Sequence, residues 1–291
     1  MPPADTDHAT GEEIDACVQR AFSETADPAA YVPRAETEQV LETLGRWCIG
    51  GEPGPSIAAI VGSPGLGKTL LLKVVEQRLL IRANRSHRGP GRPSDALYLP
   101  YAGVGLEDLA LWVHGLLGRA APPRLGLTEP PEGGPSPGLE ALLRIGLSGA
   151  EPFYLLIDDA DSIPEVVLRE LARGLPGRDS PLRLLLALGP DSKGARVLAA
   201  LHGHSPLVLE LSQSLGLEEA ANYLIRRLAR AGAPPDLRVR IDRDLVRRLH
   251  ALSGGQPRAL HALAVESLTG ALLVSESGAG TGWMGQPIDE E

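Results

Sequence analysis

Over its first two thirds the chain alternates short apolar runs with stretches of helical periodicity, and after that only the helical periodicity continues. Five runs read as strands: Ser56–Val61, Ala96–Leu99, Phe153–Ile157, Leu182–Leu188 and Leu207–Leu211. Each is a short apolar run of strand length, and a core of Leu, Ala, Val and Ile suits helices on a parallel sheet. Helical spacing is clearest at Ala35–Cys48, where Val40, Leu41, Leu44 and Trp47 fall on one face. It recurs at Leu70–Leu80, Leu106–Leu117, Leu139–Leu147 and Val166–Arg173, with a short helix at Ile14–Phe22. Beyond the fifth strand, Glu218–Ala231, Asp244–Leu252 and Pro257–Leu273 are all helical, so a domain boundary is expected near Gln213.

The expected organisation is an acidic, largely disordered segment at 1–27, an α/β core at 28–212, a helical unit at 213–273 and a disordered acidic tail at 274–291. Ala121–Gly138 carries six prolines and reads as a surface insertion in the core. At 291 residues the chain can bury a sizeable core, which at 3% aromatic content must be built from Leu, Ala, Val and Ile. Aromatic stacking platforms for single-stranded nucleic acid are correspondingly not expected.

The net charge of −9 is unevenly spread. The first sixty residues carry −8 and the last twenty-one −4, leaving a body with 25 basic against 22 acidic residues. That distribution leaves a DNA contact open without predicting one. Arg82, Arg85, Arg88 and Arg92 fall in what reads as a solvated loop, the sharper alternative being a polyanion contact. Cys17 and Cys48 have no ligand-like spacing and read as reduced thiols. His202 and His204 lack a third metal ligand. With no leader and no apolar stretch of membrane-spanning length, a cytoplasmic protein without membrane insertion is expected.

Between the first strand and its helix lies Gly62-Ser63-Pro64-Gly65-Leu66-Gly67-Lys68-Thr69, followed by Leu70. Glycines at 62, 65 and 67 let successive backbone N–H groups turn inward around phosphates. Lys68 adds a positive charge at the β/γ-phosphates, the Thr69 hydroxyl is a Mg²⁺ ligand, and the helix N-terminus favours the anion. The third strand delivers Asp158-Asp159 at its C-terminal end, the Walker B arrangement: Asp158 holds Mg²⁺ and Asp159 orients or deprotonates the attacking water, with Asp161 in reserve. A third piece is Ser253-Gly-Gly-Gln-Pro-Arg258, where Pro257 suits a first helical turn and Arg258 opposes the helix dipole unless an anion lies nearby.

Together these motifs resemble the AAA+ ATPases, especially the branch of origin-recognition, ExeA-type secretion, transposition-helper and STAND ATPases, over roughly residues 28–270. The resemblance implies a three-layer α/β/α P-loop NTPase core with a five-stranded parallel sheet, a small all-α lid, and ATP with Mg²⁺ as cofactors. It assigns Arg258, with Pro257, to γ-phosphate sensing from the lid, and Val32, Pro33 and Arg34 to the adenine side. Tyr223–Gly232 is similar to the first lid helix. Catalytic roles then fall to Lys68, Asp159 and Arg258. Departures from the family pattern point to slow hydrolysis: Asp159 stands where Glu is common, Asp191 and Ser192 are imperfect substitutes for a polar residue after the fourth strand, and only Arg196 lies where a trans-acting arginine is often found. The expected function is an ATPase that gates lid motion and partner engagement, through a protein partner or self-assembly. The alternative is a nucleotide-controlled switch or adaptor with little turnover.

Overall fold

The computed structural model describes residues 11–49, 54–85, 96–120, 135–147, 152–175, 180–212 and 214–277. In chain order the elements are α1 (Gly11–Ala21), α2 (Ala35–Ile49), β1 (Ile57–Gly62), α3 (Lys68–Arg85), β2 (Ala96–Leu99), α4 (Leu106–Leu116), α5 (Pro137–Leu147), β3 (Phe153–Ile157), α6 (Glu165–Arg173), β4 (Leu182–Leu188), α7 (Ser192–Leu201), β5 (Leu207–Leu211), α8 (Leu217–Arg230), α9 (Pro235–Val239), α10 (Arg243–Ser253) and α11 (Pro257–Ser277). The five strands form one parallel sheet in the order β2-β3-β4-β1-β5.

Strand alternation divides the core into two layers. Ile57, Ala59, Leu99, Leu155, Ile157, Leu184 and Leu186 face α4, α5, α6 and α7, where Leu109, Val113, Leu142, Leu168 and Leu171 complete the packing. Ala58, Ile60, Ala96, Tyr154, Leu156, Leu185 and Ala187 face α2 and α3, against Leu41, Leu44, Leu71, Leu72 and Val75. Burial on both faces accounts for the continuous apolar runs, and β1 sits between β4 and β5 with Ile60 opposite Ala187 and Leu209.

The chain divides into two compact units, Ala26–Gln213 with the sheet, and Met1–Thr25 together with Ser214–Glu291. The second is helical. Its buried residues include Val18 and Phe22 near α1, Leu224 and Leu228 on α8, Leu237 on α9, Leu249 on α10, and Leu260, Ala264 and Leu268 on α11. Residues 11–21 form the short helix expected near Ile14–Phe22, and α1 packs with α8 and α11; residues 1–10 lie outside the described residues. The Arg227 Nε, buried on α8, donates to the Ala21 carbonyl over 2.7 Å.

Other differences have local causes. Helix α3 starts within the glycine-rich octet and continues to Arg85, so Arg82 and Arg85 are helical rather than part of a loop; Arg88 and Arg92 lie outside the described residues. Of the proline-rich 121–138 stretch, 121–134 lie outside the described residues, while Pro137 and Gly138 open α5. Helix α11 extends past Leu273, and 278–291 lie outside the described residues. Helices α7 and α9 are additional, the first nucleated by Asp191, whose carboxylate accepts the N–H groups of Lys193 and Gly194. No helix among the described residues is long and apolar enough to cross a membrane.

Candidate functional site

The octet bends directly off the end of β1. Gly62 still pairs with Leu211 of β5, and a Cβ there would lie 2.7 Å from the Leu211 carbonyl oxygen, so close strand approach, rather than a left-handed φ, requires this glycine. Gly65 and Gly67 do take left-handed conformations, at φ 85° and 100°. The Leu66 N–H donates to the Ser63 carbonyl, closing the turn over Pro64 and Gly65. Lys68 and Thr69 then open α3, with Leu70 following them.

Lys68 folds back into its own loop, where Nζ donates to the carbonyls of Gly62 at 2.6 Å and Ser63 at 3.3 Å. Burial pushes its pKa down, and the charges of Asp158, Asp161 and Asp159 pull the other way. Thr69 Oγ1 donates to Asp158 Oδ2 over 2.6 Å, linking residues 89 apart in the chain. The same oxygen accepts the phenol of Tyr98 at 3.1 Å, and the other carboxylate oxygen accepts the Asp159 N–H at 3.1 Å. Asp158 is buried, and its own N–H donates to the Leu99 carbonyl of β2.

Asp159 is exposed, with a left-handed φ of 43° that turns the chain sharply away from β3. Its carboxyl is pushed above the ordinary range by burial first and by the charge of Asp158 second, with Lys68 opposing. Asp161 reaches the end of β4, where Oδ2 accepts the Gly189 N–H at 2.9 Å; its Oδ1 is buried without a hydrogen-bond partner. Asp191, by contrast, is spent on capping α7, and the Gly194 N–H holds its carboxyl below the usual range. Arg196 is exposed on α7.

Among the described residues no group of three His, Cys, Asp or Glu side chains is placed to hold a metal. A Mg²⁺ that keeps several waters and takes phosphate oxygens needs no such group, and the Thr69 hydroxyl beside the Asp158 carboxylate fits that hard-oxygen chemistry.

Val32 is buried and Pro33 exposed ahead of α2. The Arg34 guanidinium is buried, donating from Nη1 to the Leu66 carbonyl at 3.5 Å and facing Glu36 at 3.7 Å. The Glu36 carboxylate in turn accepts the Ser212 N–H. Pro257 and Arg258 belong to the helical unit, where they open α11. The anion that the position of Arg258 calls for is Glu24: Nη2 and Nε lie 3.0 and 3.4 Å from its two carboxylate oxygens, both side chains being exposed.

Sequence reasoning missed Tyr98, Glu24 and the reach of Asp161 to Gly189. The first was signalled only by a tyrosine within a short apolar strand, which acquires meaning once β2 is known to lie beside β3.

The sequence family described as AAA domain matches residues 52–193. No curated protein matches the chain. Among solved structures, the ORC2 protein of Aeropyrum pernix, in ADPNP and ADP complexes, aligns with a TM-score of 0.57 at 17% identity, over 89% of this chain and 67% of that one. Cdc6p of Pyrobaculum aerophilum aligns with a TM-score of 0.58 at 18% identity, over 89% and 66%. The Walker-type ATPase paby2304 of Pyrococcus abyssi aligns with a TM-score of 0.55 at 14% identity, over 89% and 78%. This chain thus spans about two thirds of the length of the first two, and likeness at such identities is one of fold. With the glycine-rich loop, the parallel sheet and the C-terminal helices, the match makes residues 52–193 an AAA domain, a nucleotide-binding module set in a P-loop fold of the AAA+ ATPase type.

Proposed function

We propose that the protein binds ATP with Mg²⁺ at the Gly62–Thr69 loop and hydrolyses it slowly to ADP and phosphate. The observation that carries this reading is the 2.6 Å contact between Thr69 Oγ1 and Asp158 Oδ2, which brings a hydroxyl and a carboxylate together beside the phosphate loop. In the proposed site, backbone N–H groups between Gly65 and Leu70 take up phosphate charge. Lys68, now bonded to the Gly62 and Ser63 carbonyls, supplies a positive charge already held at the loop. Mg²⁺ would be held by Thr69 directly and by Asp158 through water, and it supplies neutralisation of the phosphate oxygens.

Asp159 is the group that orients the attacking water and accepts its proton, favoured by its exposure and its raised pKa. Its short side chain and strained backbone limit how well it aligns that water, which supports slow turnover. Asp161 takes the place that Asp191 and Ser192 cannot, linking the turn after β3 to the tip of β4. Val32, Pro33 and Arg34 remain the proposed adenine-side residues, Arg34 acting by supporting Leu66. The γ-phosphate role of Arg258 rests on the family resemblance alone.

The second reading, a nucleotide switch with little turnover, is favoured by the commitment of Asp191 to capping α7. Equilibrium binding and phosphate release separate the two. Lys68→Ala weakens ATP binding about 100-fold or more. Asp159→Asn keeps binding and lowers turnover by roughly 10²–10⁴-fold. Tight ATP retention by the unaltered protein without phosphate release selects the switch, and wild-type turnover in Asp159→Asn removes that residue from the mechanism.

A further inference from the structure

Tyr98, next to last in β2, lies on the face of the sheet that α3 covers, in register with Leu156 of β3. Helix α3, which carries Thr69, grips this tyrosine at two points. One turn after Thr69, Lys73 Nζ lies over the ring, 5.2 Å from its centroid. Near the second turn, Glu76 Oε1 accepts the Tyr98 backbone N–H at 2.8 Å. With its ring and backbone both held, the phenol points at Asp158 Oδ2, the oxygen that Thr69 also addresses.

The two donors on that oxygen are not equivalent. A Thr69 hydroxyl that turns its oxygen to a cation changes its relation to Asp158, while the Tyr98 phenol has no such second task. The phenol is then the side-chain donor that keeps Oδ2 oriented, with the Asp159 N–H holding the other oxygen. Outer groups of this kind, bonded to a metal-side carboxylate, fix its direction and strengthen cation binding.

We propose that Tyr98 is a positioning residue for the divalent cation that accompanies the nucleotide: its phenol holds Asp158 in the cation-ready orientation, and Lys73 and Glu76 hold Tyr98. The proposal rests on the Mg²⁺-nucleotide reading of the Gly62–Thr69 loop. A tyrosine that merely fills space between β2 and α3 is the competing explanation, and the two differ in what they do to magnesium dependence.

Tyr98→Phe keeps the ring under Lys73 and deletes only the hydroxyl. ATP binding is measured by fluorescence competition at increasing Mg²⁺ and again in EDTA. The expected result is a rise of about tenfold in half-saturating Mg²⁺, with affinity in EDTA unchanged. An unchanged Mg²⁺ requirement overturns the proposal, and so does an equal loss of affinity with and without Mg²⁺, which marks a packing role. If the unaltered protein binds no nucleotide in either condition, the nucleotide reading itself fails and takes this proposal with it. Should Tyr98→Phe not fold, Lys73→Met frees the ring while leaving the phenol; a rise of about twofold to fivefold in half-saturating Mg²⁺ supports the proposal, and no rise overturns it.

Discussion

Gly62 illustrates how one residue serves two masters, as both the last position of β1 and the first of the phosphate loop. Its requirement for glycine comes from the Leu211 carbonyl of β5, 2.7 Å from where a Cβ would stand, and moving backbone is costly in a sheet. Gly62→Ala is therefore expected to lower stability by about 1–3 kcal/mol, the range for overpacking, with a matching fall in the thermal midpoint. A variant as stable as the unaltered protein would show that β5 yields freely. Lys68 shows the same economy, since the amine proposed to meet phosphate is bonded to Gly62 and Ser63, and burial loosens its hold on a proton. The chemistry of both residues is legible in the octet. Their partners are not, because Leu211 is brought to Gly62 by strand pairing and not by sequence distance.

At the scale of elements, the seam between α1, α8 and α11 holds a titrating group. His261 on α11 stacks on Tyr223 of α8 and hydrogen-bonds its hydroxyl at 2.8 Å, and the Phe22 ring lies tilted to it with centroids 5.6 Å apart. Burial, aided by the charge of Arg227, pushes its pKa down to about 3. The unfolded chain, with an ordinary imidazole, then binds a proton that the folded seam refuses. The stability contribution is present in full above about pH 6.5 and declines as pH falls toward the folded pKa, by roughly 2 kcal/mol at pH 5. Chemical unfolding at pH 7.5 and pH 5 should show this loss in the unaltered protein and a smaller one in His261→Gln. Parallel pH profiles would mean that His261 does not titrate between the two states. The periodicity of α8 and α11 was readable without the structure, but nothing in it links them to α1, whose partners lie some two hundred residues away.

For the whole molecule, two compact units with their own buried residues mean that unfolding need not be a single step. A ligand that binds only the folded core stabilises it by mass action, by about 2.7 kcal/mol at a free concentration of 100 times its Kd. Calorimetry with saturating Mg²⁺ and ATP should therefore raise a transition in the unaltered protein and leave Lys68→Ala where it was. An equal rise in both would place nucleotide binding somewhere other than this loop.

The five strands, the phosphate loop, the Asp158-Asp159 pair and the passage to helices alone near Gln213 were determined by the sequence itself. They are local in origin: continuous apolar runs mark strands covered on both faces, and glycine spacing marks a loop whose backbone must turn inward. Tertiary structure alone decided that β2 lies beside β3, bringing Tyr98 to Asp158, and that the tip of β4 is met by Asp161. It likewise gave Arg258 its carboxylate in Glu24 and returned residues 11–21 to the C-terminal helices. Such pairings depend on strand order and on which apolar faces find one another, and both are settled by the burial of the whole chain rather than by the spacing of neighbouring residues.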